Sequence, residues 1–221
     1  FCNFVFFTKS LFPLLELSLI NLNANMKRRL FGLALVGGRS IRMGRDKALI
    51  SYNGTETQLE RSTALLKAVC QDVFVSQRKD QAYEIQNFAN VIYDSVNEVK
   101  GPLCGILSAM YNHPGANWLV IACDLPNLDD KVLRNLVREF ESESPQLIAY
   151  KSSYNGLPEP LCAIYPAGSA RELLTHSREL NSYCPRKILI AMDARLVEQD
   201  NPTSLNNVNT TSEYNDSIKS S

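Results

Sequence analysis

The sequence predicts a three-layer α/β fold with a mostly parallel sheet. Short apolar runs alternate with amphipathic segments from Leu30 onward, the rhythm of strands connected by crossover helices. A glycine pair, Gly37-Gly38, directly follows the first apolar run. The length of 221 residues, with 45% hydrophobic and 21% charged side chains, suits one such domain with a sizeable core and leaves little room for a second.

Taken in order, Leu30 to Val36 reads as a buried strand that ends at the glycine pair. Glu56 to Val69 carries Leu59, Leu65, Leu66 and Val69 at helical spacing. Val73 to Ser76 gives a second strand, Gln81 to Phe88 a weak helix and Val91 to Tyr93 a third, short strand. Pro102 suits a first helical turn and opens a helix running to Met110. Trp118 to Ala122 is an inner strand that stops at Cys123-Asp124-Leu125-Pro126. Val132, Leu133, Leu136, Val137 and Phe140 restore helix spacing, with Asp129 available as the cap. Leu147 to Lys151 and Leu161 to Tyr165 flank the turn dipeptide Asn155-Gly156 and are expected to pair. Helices follow near Ala170 to His176 and Arg186 to Ala191, then a strand at Ala194 to Val197 and a closing helix at Ser212 to Ile218.

The first 25 residues are apolar and Asn-rich, and the first methionine is Met26. Glu16 and the Asn21 to Asn25 stretch break the pattern of a signal peptide, and the run Leu11 to Leu15 is too short to span a bilayer. The expected division is therefore an upstream-translated extension, residues 1–25, before a domain spanning 26–221. A secretory or anchoring role for the extension is the alternative.

The 23 basic and 23 acidic side chains balance, so no charge surplus points to nucleic acid or to an anionic membrane as partner. The six cysteines include no C-x-x-C pair and have only His113 and His176 beside them, which argues against a zinc site or a disulfide framework and for free thiols in a reducing, cytoplasmic setting. Two histidines without surrounding motifs leave little for Ser-His-Asp chemistry. Catalysis then falls to carboxylates, cations and a metal ion.

The chemistry concentrates in Leu35-Val36-Gly37-Gly38-Arg39-Ser40-Ile41-Arg42-Met43-Gly44-Arg45-Asp46-Lys47. The stretch follows the first strand, at the carboxyl end of a parallel sheet, where ligands bind. Adjacent glycines let backbone N–H groups approach ligand oxygens closely. Arg39, Arg42, Arg45 and Lys47 place four cations within nine residues of a chain without net charge, which makes a local anion site. Neither the Walker pattern nor G-x-G-x-x-G is present, and a glycine-rich connection with solvated arginines is the alternative on composition alone.

The whole string resembles the L-x-G-G-x-S-x-R-M-G-x-D-K signature of the molybdenum cofactor guanylyltransferases, a family of nucleotidyltransferases with a Rossmann-like fold. Val36 stands where the family usually has Ala, an apolar change at the strand end. Gly38 and Asp46-Lys47 favour this family over sugar-phosphate and cytidylyl relatives. Asp94 with Gly101-Pro102-Leu103 resembles the family's D...GPL segment, Cys123-Asp124-Leu125-Pro126 its C-D-x-P metal loop, and Asn207-Val208-Asn209-Thr210 its late N-V-N-T. The resemblance runs from about Leu30 to about Ile218.

The resemblance implies attack by the phosphate of molybdopterin, or of its molybdenum form, on the α-phosphorus of GTP, with release of pyrophosphate. Both reactants are polyanions, so catalysis must suppress their repulsion and stabilise charge on the leaving group. Mg²⁺ and positioned cations suit both tasks. Lys47 is expected on the triphosphate, with Arg42 as a second phosphate ligand; the alternative for each is a solvated surface cation. Leu35, Val36 and Gly37 are expected to contact the nucleotide through their backbone. Asp124 is the expected Mg²⁺ ligand, the alternative being a cap for the helix after Pro126. By family position Ser76, where the family often has Asn, and Asp94 lie against base and ribose. Asn207 and Asn209 lie toward the pterin, or serve as turn residues.

Leu157 to Ala163 falls where the family varies, near the second substrate, and Glu159 is an unusual residue in a site for an anion. Rival readings keep the fold and change the substrates, to CTP or to a sugar-phosphate acceptor, or make the chain a catalytically inactive nucleotide-binding module serving a partner protein. Beyond the two substrates, other molybdenum cofactor biosynthesis proteins and acceptor molybdoenzymes are the partners this reading implies.

Overall fold

The computed structural model describes residues 29–36, 51, 56–79 and 89–206. The expected helices at Gln81 to Phe88 and Ser212 to Ile218, and the first 25 residues, lie outside the described residues.

Seven strands form one sheet in the order β3-β2-β1-β4-β6-β5-β7, comprising β1 (Leu30–Leu35), β2 (Asp72–Gln77), β3 (Asn90–Tyr93), β4 (Asn117–Ala122), β5 (Ile148–Lys151), β6 (Pro158–Tyr165) and β7 (Arg195–Val197). The pairs β2–β3, β1–β2, β1–β4 and β5–β7 are parallel, and β6 alone runs against its neighbours β4 and β5. Strands β3, β2, β1, β4 and β5 therefore end on the same edge.

Side chains alternate across the sheet as a strand's two-residue period requires. Leu30 and Ala34 of β1, and Val36 just beyond it, face a core with Leu59 and Leu66 of α1 (Gln58–Lys67) and Leu133, Leu136 and Phe140 of α3 (Asp130–Glu141). Phe31 and Leu33 face the opposite core, filled by Leu103, Ile106 and Leu107 of α2 (Pro102–Asn112), Leu173 of α4 (Ala170–Glu179) and Ile188 and Leu189 of α5 (Pro185–Ala191). Two helical layers thus cover a buried sheet, which is the three-layer arrangement the sequence predicts. On the second face Phe31, Phe74, His113 and Trp118 pack ring to ring, with centroids 4.9 to 5.9 Å apart.

The helix starts have local causes. Thr57 and Glu60 form a capping box on α1, each satisfying the other's backbone N–H. Asp129 accepts the Val132 N–H at 2.9 Å and caps α3. Gly101 takes φ +66°, a conformation that side chains strain, and turns the chain into Pro102 at the first position of α2.

One strand departs from expectation. β6 begins at Pro158, three residues before Leu161, although Pro158 and Pro160 lack the N–H groups that a strand interior uses. The strand accommodates them with an irregularity: Ala149 pairs with Ala163, but the next residue, Tyr150, pairs with Glu159. Pro160, Leu161 and Cys162 thus bulge away from β5, and the buried Tyr165 hydroxyl donates to the Pro160 carbonyl at 2.9 Å, fixing the bulge.

Candidate active site

Four parallel strands deliver the expected site residues to one edge. Leu35 closes β1, with Ser76 of β2 and Ala122 of β4 as its register partners. Val36 follows it and is buried. Asp94 comes one residue after β3, its N–H donating to the Gln77 carbonyl at 3.0 Å. Asp124 comes two residues after β4 and is half-buried. Gly37, Arg42 and Lys47, and Asn207 and Asn209, lie outside the described residues.

Ser76 and Asp94 meet: the Ser76 hydroxyl donates to Asp94 Oδ1 at 2.8 Å. Burial lifts the Asp94 carboxyl above its ordinary value, against the opposing pull of the Ser76 hydrogen bond and the Arg78 charge. Helix α2 lies directly over this pair. A Cβ on Gly105 would fall 2.2 Å from Ser76 Oγ and 2.9 Å from Leu35 Cδ2, so a glycine is what lets the helix approach the ends of β1 and β2. On the same helix Ser108 accepts the Ser95 N–H at 2.9 Å and holds the chain beyond Asp94.

Asp124 belongs to a braced loop. Leu128 N–H donates to the Leu125 carbonyl, and Arg61 on α1 donates to the Leu128 carbonyl at 2.7 Å. The cap of α3 is Asp129, five residues further on, so the helix start does not depend on Asp124. Among the described residues no cluster of three or more His, Cys, Asp or Glu side chains could hold a metal ion. A single half-buried carboxylate suits Mg²⁺, which takes one or two protein carboxylates and completes its shell with phosphate oxygens and water. The donor set therefore fits a metal that arrives with a polyphosphate.

Asp94 and Asp124 stand at the ends of β3 and β4, with β2 and β1 between them. Three inter-strand spacings separate them by about 14 Å. That distance suits an extended ligand lying across the strand ends, polar at one end and anionic at the other.

Beyond β4, the bulge in β6 opens a small cleft of about 90 Å³ whose walls include Leu125, Leu161, Cys162 and Leu205. Its polar members are Glu159 and Arg186, paired at 2.9 Å. Arg186 also donates from Nε to the Pro158 carbonyl at 3.0 Å. The negative charge of Glu159 is thus matched by a partner that its own segment does not reveal.

The five cysteines described, Cys70, Cys104, Cys123, Cys162 and Cys184, are all unbridged, as their spacing predicts. Burial pushes the Cys70 thiol up to about 12 and the Cys162 thiol still further, which removes both as nucleophiles.

The fold is that of the α/β nucleotidyltransferases. The chain belongs to the MobA-like NTP transferase family, whose domain model matches residues 32–196. It is 36% identical over 189 residues to the "Molybdenum cofactor biosynthesis bifunctional protein" of Synechocystis sp., covering 84% of this chain and 52% of that one. It is 31% identical over 170 residues to the "Molybdenum cofactor guanylyltransferase" of Pseudomonas aeruginosa, covering 75% of this chain and 82% of that one. The chain thus spans about half the length of the Synechocystis relative. Among solved structures, that of "Molybdopterin-guanine dinucleotide biosynthesis protein A" from Archaeoglobus fulgidus shares the fold, with TM-score 0.67 and 24% identity over 86% of this chain and 98% of that one.

Proposed function

We propose that the chain transfers GMP from GTP to molybdopterin, or to its molybdenum-bearing form, with release of pyrophosphate. The observation that supports this reading best is the placement of the Ser76–Asp94 pair and Asp124 along one row of strand ends. A nucleotide laid along that row puts its base and ribose toward β3 and its phosphates toward β4. Relatives named as molybdenum cofactor guanylyltransferases support the choice of substrates.

In this reading Asp94, held by Ser76, accepts hydrogen bonds from the base or ribose, while the backbone at Leu35, Val36 and Gly37 lies along the nucleotide. Lys47 and Arg42 neutralise phosphate charge. A phosphate monoester is already ionised near neutral pH, so the chain needs no general base. Asp124 holds Mg²⁺, which when bound offsets the repulsion between the two polyanions and the charge on pyrophosphate. Asn207 and Asn209 bind the acceptor. GTP and Mg²⁺ are cytoplasmic solutes, which puts the proposed reaction in the cytoplasm; other cofactor-biosynthesis proteins and acceptor molybdoenzymes are its proposed partners.

The test is product analysis with purified molybdopterin and GTP, CTP or UTP supplied separately. GTP should give pyrophosphate and the guanine dinucleotide fastest. Faster turnover of CTP or UTP would change the substrate, and nucleotide binding without turnover of any of them would make the chain a binding module.

A further inference from the structure

The cleft opened by the bulge in β6 combines an apolar wall with one carboxylate. Glu159 is its acidic member, and Leu125, the residue after Asp124, forms part of the wall, so the cleft adjoins the proposed metal loop. Among the described residues Arg186 is the hydrogen-bonding partner of the Glu159 carboxylate, and it takes Oε2; Oε1 accepts no hydrogen bond from them. The Glu159 side chain is 22% exposed, and an ionised carboxylate is an acceptor only. A group in this position is satisfied by neighbouring N–H donors on a flat ligand. Arg186 already matches the Glu159 charge, so the pair offers an anionic group no net attraction.

We infer that Glu159, oriented by Arg186, receives the donor edge of a 2-amino-4-oxo heterocycle, the edge that a pterin presents as its 2-amino group and N3–H. Guanine carries the same donor pair, so the edge alone does not separate the two rings. Position favours the pterin. β6 lies on the far side of β4 from β3, four strand spacings or about 19 Å from the end of β3, where Asp94 stands. A nucleotide whose base rests at β3 cannot also place that base on Glu159. At about 90 Å³ the cleft seats one edge of a ring rather than a whole acceptor, leaving the anionic remainder to extend toward Asp124. Arg186 acts as a positioning residue, anchored through Nε on the Pro158 carbonyl of the same bulge.

This inference rests on the proposed reaction for its choice of a pterin, and the experiment separates the two. Free pterin and lumazine, which carries a carbonyl in place of the 2-amino group, are titrated by fluorescence into the full chain with and without saturating GTP. Pterin should bind about tenfold or more tightly than lumazine, the scale of a hydrogen bond to a charged group, and GTP should not displace it. Glu159→Gln should abolish this preference and raise KM for molybdopterin while leaving KM for GTP unchanged. The double variant Glu159→Gln with Arg186→Gln, which keeps a neutral pair in place of the ion pair, must lose the preference as well and provides the test if the single variant is unfolded by circular dichroism. Equal binding of the two rings, a preference that survives in the folded variant, or displacement of pterin by GTP overturns the assignment of Glu159. If wild type makes dinucleotide but shows no preference, the cleft assignment falls and the reaction stands. If the Glu159-dependent preference appears without any dinucleotide product, the reaction falls and the cleft assignment stands.

Discussion

Ser76 and Asp94 leave neighbouring parallel strands 18 positions apart in the chain and meet through a 2.8 Å hydrogen bond at the edge where the nucleotide is proposed to bind. The bond fixes one carboxylate oxygen, yet burial still raises the Asp94 pKa above its ordinary value. A carboxyl whose folded-state pKa is raised contributes stability below its unfolded value and loses that contribution as pH rises through the folded value. Ionised Asp94 is therefore a liability for folding at neutral pH. Asp94→Asn, which keeps an acceptor for the Ser76 hydroxyl, should melt higher than wild type at pH 7, and the gap should close toward about pH 3, where both chains are neutral at this position. The same variant should weaken GTP binding by about tenfold, the scale of a hydrogen bond to a charged group. Thermal melts across pH together with GTP titration check both; a lower melting point at pH 7 would show that the charge supports the fold.

Gly105 sits inside α2 for a steric reason. Alanine there would put a methyl group 2.2 Å from Ser76 Oγ, far inside van der Waals contact. Gly105→Ala should cost about 1 to 3 kcal/mol through helix displacement, the usual range for an overpacked core. Because the displaced helix covers Ser76 and Leu35, GTP affinity should fall with stability. Combining it with Ser76→Gly removes Ser76 Oγ and Cβ and leaves Leu35 Cδ2 as the remaining obstacle, so the two substitutions should cost less together than the sum of their separate costs, a non-additivity that denaturant titration can measure.

Strand ends and helix caps were legible because they depend on near neighbours. Asp129 stands three residues before the backbone group it caps, and β1, β3 and β4 stop close to where their apolar runs give way to Gly37, Asp94 and Cys123-Asp124. What could not be read is whatever depends on distant partners. Glu159 looked anomalous only because Arg186, 27 residues away, was not visible beside it. Arg61 reaches the loop after Asp124 across 67 residues, with no spacing to announce it. Pro158 and Pro160 fall within β6, which the apolar run alone starts at Leu161, because the bulge fixed by Tyr165 admits them. Gly105 did carry a signal, since a glycine within a helical pattern marks a close approach.

Lys47 tests the proposed chemistry more directly than the fold. If its ammonium acts on the triphosphate during transfer, Lys47→Ala should reduce turnover by at least about 10²-fold, the scale of losing one preorganised electrostatic contact. Pyrophosphate release under saturating GTP measures this. An unchanged rate in a folded variant removes Lys47 from the mechanism.

Asp124 and Asp129 form a crossed test of metal binding against helix capping. The cap of α3 is the Asp129 side chain, which accepts the Val132 N–H at 2.9 Å. Asp129→Ala should therefore cost about 0.5 to 2 kcal/mol of stability and leave the Mg²⁺ dependence of the rate unaltered. Asp124→Asn should do the reverse. It is nearly isosteric and leaves the α3 cap in place, so its melting point should stay near that of wild type. It brings no charge to the ion, so half-maximal turnover should require much more Mg²⁺, and raising the metal should restore part of the rate. Melting curves and Mg²⁺ titrations of both variants give four readings. If the Asp124 variant keeps wild-type magnesium dependence, the metal is held by other groups and the carboxylate belongs to the structure of its loop.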